Sequence, residues 1–153
     1  MHKLLNRKGG IPSVTFRVTA GVINMSETAI ITLGHGSRVN AANHEVEELV
    51  EKWKQQKQNK EKLSFYTAFL QFGSPSLEET IRKAAQEGFQ EIIIAPLFLT
   101  SGAHINKDIP EIVSHMKKQY PLIRFTQCLH LGCDERLLEI LWDRVKEHLP
   151  SEI

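Results

Sequence analysis

Four short apolar runs, each followed by a segment of helical periodicity, constrain this chain more than any other feature. Thr28 to Leu33 (TAIITL) is the first run and Leu63 to Leu70 (LSFYTAFL) the second. Glu91 to Leu99 holds the third, IIIAPLFL, apolar on consecutive residues as a strand covered on both faces requires. Pro96 must lie at or beyond its end, because a central strand cannot spare that amide. Leu122 to Leu129 is the fourth. A first helix is expected from Ala41 to about Lys57, with Val46, Leu49, Val50 and Trp53 at helical spacing. The mixed Glu and Lys of 45–62 read as a solvated face with i,i+4 pairs.

Helix punctuation supports the same division. SLEE places Ser76 as cap and Glu79 three residues later, a capping box, and Gly88 stands where a C-cap glycine belongs. Leu77, Ile81, Ala84 and Ala85 form the apolar face between them. Asp108 and Glu111 repeat the cap spacing before a helix that ends near Tyr120-Pro121. A last helix, Glu135 to His148, carries Leu137, Leu138, Leu141, Trp142 and Val145. Four such β-α units with short connections imply an α/β domain of three layers, a four-stranded parallel sheet with helices on both faces.

Residues 1–24 read differently. They are basic early on and their apolar residues keep no period. They lack the long apolar stretch of a secretory signal. The compact domain is expected over 25–153, with 1–24 a poorly ordered tail or an over-extended start before Met25. At 153 residues the chain suits one domain with a real core. A formal charge of +1 excludes a binder that works by neutralising many phosphates, so no nucleic-acid partner is expected. No run approaches a membrane span. Two cysteines, Cys128 and Cys133, are too few for a disulfide scaffold and read as reduced, buried thiols of a cytoplasmic protein.

In parallel sheets of this kind ligands bind beyond the carboxyl ends of the strands. GHGSR (34–38) follows the first run and sets His35 between Gly34 and Gly36, glycines that permit a sharp turn and a close approach. QFGSPS (71–76) follows the second. LFLTSGAHINKDIP (97–110) follows the third and supplies His104, and CLHLGCDE follows the fourth with His130. The rim thus gathers imidazoles, hydroxyls, helix starts, Arg38 and Lys107. Two converging imidazoles make a seat for divalent iron, cobalt, nickel or zinc, although a lone loop histidine is as readily structural.

GHGSR, FLQFGSPSLEE (69–79) and PLFLTSGAHINKDIP (96–110) together resemble the small sirohydrochlorin chelatases, single-domain cobaltochelatase and ferrochelatase relatives with a chelatase-like (flavodoxin-like) fold. The likeness covers nearly all of 28–148. It implies ATP-independent insertion of Co²⁺ or Fe²⁺, with Ni²⁺ a further candidate, into sirohydrochlorin during cobalamin or sirohaem biosynthesis. His35 and His104 would be catalytic and hold the metal above the macrocycle while two pyrrole protons leave. Many relatives carry glutamate where this chain has Gln71, and glutamine cannot accept a proton at neutral pH. The base is then a histidine, solvent or another carboxylate. The departure also keeps a second reading open, a metal or tetrapyrrole carrier of the same fold that does not catalyse insertion. A third reading, a phosphoryl-handling histidine, needs a basic pocket that a near-neutral chain gives little sign of.

The resemblance makes Gly36, Ser37, Arg38, Gln71, Ser101, Gly102 and Lys107 the expected substrate contacts, with Arg38 and Lys107 facing the acetate and propionate groups of the macrocycle. Ser37 serves equally as a helix cap and Arg38 as a solvated charge. Asp108 could orient His104 through a hydrogen bond, but its cap spacing accounts for it without that role. Leu97, Phe98 and Leu99 read mainly as core, with a share in flooring the site. His44, His115 and His148 fall within helices and read as surface residues, and His130 as a plain loop histidine. Longer relatives resemble two fused copies of the domain, so a single copy is expected to form a homodimer.

Overall fold

The computed structural model describes residues 28–57, 62–132 and 134–150. The expected tail, residues 1–24, and Cys133 lie outside them. Four strands and four helices alternate: β1 (Thr28–Gly34), α1 (Asn40–Lys57), β2 (Leu63–Phe69), α2 (Leu77–Gln86), β3 (Glu91–Pro96), α3 (Ile109–Gln119), β4 (Arg124–Gln127) and α4 (Glu135–Lys146). The sheet is parallel throughout, in the order β2-β1-β3-β4. The chain therefore runs outward from β1 to β2 and then crosses back to β3. Right-handed crossovers put α1 on one face and α2 and α3 on the other.

Burial follows from that placement. Every residue of the central β1 is buried. In β3, Ile92, Ile94 and Pro96 are buried while Ile93 and Ala95 are only half-buried. One face of β3 thus meets the core beneath α2 and α3, and the other is poorly covered. The core gathers Ile31, Leu33, Leu77, Ile81, Ile92, Ile94, Ile109 and Met116, all fully enclosed. Pro96 takes the last register position of β3, beside Leu33, and the next amide, Leu97 N–H, donates to the Leu33 carbonyl (2.9 Å).

The capping box of α2 is present: Ser76 N–H donates to Glu79 Oε2 (2.7 Å) and Glu79 N–H to Ser76 Oγ (3.3 Å). The Ser76 amide, then the Ser76 hydroxyl, hold the Glu79 carboxyl below the usual carboxylate range. Gly88 follows the helix with φ +93°. On α1, His44 pairs with Glu47 and Glu48 and Lys54 with Glu51, at i,i+3 and i,i+4 spacing.

Three expectations are corrected. Asp108 does not cap α3: it is already helical (φ −64°, ψ −47°) and its side chain bonds no α3 amide, because a five-residue π-helical turn, His104–Asp108, runs straight into α3. Cys128 is exposed rather than buried, because β4 stops one residue before it. Leu99 is exposed too, since β3 ends at Pro96 and the chain leaves the sheet there. The last helix, α4, buries none of its described residues: Leu138, Leu141, Trp142 and Val145 are 47% to 63% exposed. Asp134 caps α4 by accepting from Arg136 N–H, and the Arg136 guanidinium lowers its carboxyl to about 2. No helix among the described residues is long and apolar enough to cross a membrane.

Candidate metal centre at the sheet switch point

The site lies where the sheet order reverses. In open parallel sheets the crevice beyond the strand ends opens at the point where the chain turns from one direction to the other. Here that point falls between β1 and β3, which are hydrogen-bonded neighbours. His35 follows β1 directly and His104 opens the π-helical turn after β3. Their Nε2 atoms stand 3.2 Å apart, with ring centroids at 4.9 Å.

The other nitrogen of each ring decides what those Nε2 atoms carry. His35 Nδ1 lies 3.1 Å from the Gly36 carbonyl, which can only accept, so Nδ1 bears the proton. His104 Nδ1 lies 2.7 Å from Asp108 Oδ2 and donates to that carboxylate. In the neutral rings both Nε2 atoms therefore present lone pairs toward each other, an arrangement a shared cation relieves. Two imidazole nitrogens 3.2 Å apart fit a common ion at about 2.1 Å from each, with an N–metal–N angle of roughly 100°. Among the described residues no third His, Cys, Asp or Glu joins them in a metal-holding group. Most of the ion's coordination sphere is left open.

Backbone packing fixes the His35 loop. Gly36 has φ +89°, and a Cβ there would lie 1.7 Å from the Gln71 carbonyl oxygen. That contact exists because the turn after β2 is laid on the turn after β1: Leu70 N–H donates to the Gly34 carbonyl and Gln71 N–H to the His35 carbonyl (3.0 and 2.9 Å). Gln71 thus contributes its backbone, while its side chain is exposed. Asn43 braces the other side. Its amide accepts from Ser37 N–H (2.8 Å) and donates to the Ser37 carbonyl (2.9 Å). The Ser37 hydroxyl accepts from Val39 N–H, making a local turn before α1.

Phe72 is the neighbour the sequence reading passed over. It has φ +45°, is 53% exposed, and sits 6.4 Å from the His35 ring, with the Arg38 guanidinium 4.6 Å from its own centroid. A positive φ in a bulky residue costs of order 1–3 kcal/mol and persists only where its surroundings impose it. Its one sequence signal is an aromatic inside a turn, before Gly73. Asn43 had no signal at all on a charged helix. Phe98 completes the apolar surround, edge-on to His35 at 6.4 Å. Ser101, Gly102 and Lys107 lie exposed at the start of the π-helical turn and within it, and Arg38 is exposed as well. The structure brings His35, His104, Asp108 and Phe72 together, and it does not bring His130 into their hydrogen-bonded cluster.

Comparison with known proteins decides the kinship. The CbiX family model matches residues 29–148. This chain belongs to the CbiX family. Among its relatives, the sirohydrochlorin ferrochelatase of Priestia megaterium is 30% identical over 119 residues, 78% of this chain and 44% of that one. The sirohydrochlorin cobaltochelatase of Methanopyrus kandleri is 28% identical over 147 residues, 81% of this chain and 99% of that one. The CbiX-family chain therefore spans under half the length of the Priestia protein and nearly all of the Methanopyrus one. The sirohydrochlorin chelatase SirB from Bacillus subtilis subspecies spizizenii, solved in complex with cobalt, superposes with a TM-score of 0.73 at 30% identity, over 80% of this chain and 51% of that one. The four-stranded parallel sheet read from the sequence is thus the fold of a chelatase.

Because Asp108 bonds His104 and caps nothing, Asp108→Ala has a split expected outcome. Co²⁺ affinity, read by titration calorimetry, falls about 10–100-fold, as losing the carboxylate behind a ligating histidine does. The melting temperature stays within a degree or two. A drop matching the ~1 kcal/mol of a lost helix cap, with affinity intact, would return Asp108 to a capping role.

Proposed function

We propose that this chain inserts Co²⁺ or Fe²⁺ into sirohydrochlorin without ATP, in cobalamin or sirohaem biosynthesis, and that His35 and His104 carry the metal. The reading rests on one observation above all: two Nε2 atoms 3.2 Å apart whose ring partners are already engaged by the Gly36 carbonyl and the Asp108 carboxylate. A two-imidazole seat holds an ion while leaving positions for incoming ligands. A macrocycle that fills them with its own nitrogens draws the ion off.

The proton balance suits the same pair. Insertion releases two pyrrole protons as one M²⁺ departs, and the departure frees two Nε2 lone pairs. Those lone pairs can take up the protons in turn and pass them to solvent, with Asp108 steadying the imidazolium at His104. Gln71 takes no part in this transfer. Arg38 and Lys107 suit the carboxylates of the substrate, with Gly36, Ser37, Ser101 and Gly102 lining its approach. Phe72, Phe98 and the exposed Leu99 offer apolar surface to the ring. Imidazole nitrogens also admit Ni²⁺. The reading places the protein in the cytoplasm, with no membrane or nucleic-acid partner, as a homodimer, since one domain walls a flat macrocycle on one side only.

Anaerobic absorbance spectroscopy of sirohydrochlorin with Co²⁺ and catalytic amounts of protein tests this. Turnover of many equivalents above the uncatalysed rate is expected. Saturation at a fixed stoichiometry, with Co²⁺ and with Fe²⁺, would replace the enzyme by a carrier.

A further inference from the structure

The π-helical turn that carries His104 and Asp108 leaves one carbonyl without a helix partner. In an α-helix the Ile105 carbonyl would accept from the amide four residues on, Ile109 N–H. That amide donates instead to the His104 carbonyl, one residue further back. The π register passes the Ile105 carbonyl to the amide five residues on, at position 110, but Pro110 has no N–H. Both amides in line for this carbonyl are thus lost to it. A backbone carbonyl deprived of its ladder partner must find another donor or stay in water, and Ile105 is half-buried with its side chain against the core.

The donor comes from β4. Gln127 Nε2 donates to the Ile105 carbonyl at 3.3 Å. A carbonyl only accepts, so the bonded atom of Gln127 is its amide nitrogen. The strand explains the placement. Gln127 is the last residue of β4, in register with Ile94 of β3, and lies two positions after the buried Phe125. Side chains alternate along a strand, so Gln127 shares the Phe125 face, which carries α3, and meets the turn that leads into that helix. Arg124 and Thr126 point the other way and are exposed. The bond spans 22 positions of sequence and ties the loop after β3 to the end of the neighbouring strand.

We propose that Gln127 is a positioning residue for the metal seat: by occupying the carbonyl that the π-helical turn orphans, it keeps His104 and Asp108 where His35 needs them. This role rests on the proposed insertion of metal at His35 and His104. Ile105 follows His104 directly, so a hydrogen bond on its carbonyl fixes the backbone that bears the ring. Without that bond the carbonyl competes for Ile109 N–H, and the turn tightens toward α-helical register. Tightening rotates His104 about the helix axis, away from its 3.2 Å approach to His35 and its 2.7 Å hydrogen bond to Asp108. A histidine no longer oriented from behind binds an ion less well. Gln127 thus acts through His104 rather than on the ion.

The test is calorimetric titration of the full chain with Co²⁺ alone, beside the absorbance assay with sirohydrochlorin, each variant being checked by circular dichroism. Gln127→Met keeps the length of the side chain and removes its donor. Its Co²⁺ affinity is expected to fall about tenfold. The KM for Co²⁺ should rise to match, with the KM for sirohydrochlorin unchanged. Thr126→Val, on the opposite face of β4, should leave all three at wild-type values. Pro110→Ala separates positioning from a merely structural loss, because it returns an amide in line with the Ile105 carbonyl. In that background Gln127→Met should cost no more than about twofold in Co²⁺ affinity, since the two changes share one acceptor. Equal losses in both backgrounds, or a Gln127→Met chain that binds Co²⁺ as tightly as the wild type, would overturn the positioning role. A wild type that binds no Co²⁺ would remove this role and the metal seat together. Binding that depends on Gln127 but leads to no turnover would keep the role and put a carrier in place of the enzyme.

Discussion

His104→Ala is expected to lower the rate of Co²⁺ insertion into sirohydrochlorin by 100-fold or more, with the fold intact. The loss is large because the proposed seat rests on two imidazole nitrogens, and among the described residues no third His, Cys, Asp or Glu joins them. With His104 gone, His35 Nε2 alone meets the ion, and the carboxylate of Asp108 is left without the imidazole it orients. His35→Ala should cost about as much, and the double variant little more than either single, since groups that act as a unit are grossly non-additive. A double variant whose loss is the product of the two single losses would mean that the histidines act separately, and the shared seat would be wrong. Stability gives the control. Both side chains lie at the open rim outside the hydrophobic core, so truncating either should shift unfolding by no more than about 0.5 kcal/mol. Added imidazole partially restoring His104→Ala would tie the defect to a missing ligand rather than to a displaced loop.

The sheet was legible because its two inner strands, β1 and β3, are nearly continuous apolar runs bounded by turn and capping residues. By contrast, β4 (RFTQ) holds one apolar residue and is two residues shorter at each end than the Leu122–Leu129 expected. Ser76, Glu79 and Gly88 each did in the structure what their spacing announced. The rim followed from topology: once β1 and β3 were strands of one parallel sheet, His35 and His104 had to share an end of it. Asp108 was misread because Asp-x-x-Glu before an apolar segment serves two purposes with the same spacing. What separates them is the π-helical turn, in which Ile109 N–H donates to the His104 carbonyl and the backbone is already helical at Asp108. A helical backbone cannot cap, but it does set residues i and i+4 side by side, which is how Asp108 meets His104. Phe72 and Asn43 were invisible for another reason. Phe72 meets His35 only because one turn is laid across another, a contact between distant segments, while Asn43 reaches back six residues to Ser37 across a bend whose shape no spacing records. The apolar stripe of α4 was plain in the sequence, but a stripe says only that a helix wants a partner.

Gly36 is where local conformation and the site meet, and Gly36→Ala should be the most damaging glycine-to-alanine change among the described residues. Two costs combine there. At φ +89° an alanine is strained by about 1–3 kcal/mol. Its Cβ would also fall 1.7 Å from the Gln71 carbonyl oxygen, a backbone atom that cannot turn aside as a side chain does. Relief requires the two turns to part, which breaks the Leu70 to Gly34 and Gln71 to His35 hydrogen bonds and carries the His35 ring away from His104. A misplacement of about 1 Å at a reacting centre is enough to cost about 100-fold in rate. Gly88 separates the two costs. Its φ is +93°, nearly that of Gly36, yet a Cβ there meets nothing within 4 Å, and it lies at the end of α2, away from the metal rim. Gly88→Ala therefore reports the conformational cost alone and should leave insertion unchanged, while Gly36→Ala should lose clearly more stability in urea unfolding and nearly all activity. Equal losses in the two variants would mean that the turns part freely. The close approach of Gln71 to Gly36 would then not be what holds His35 in place.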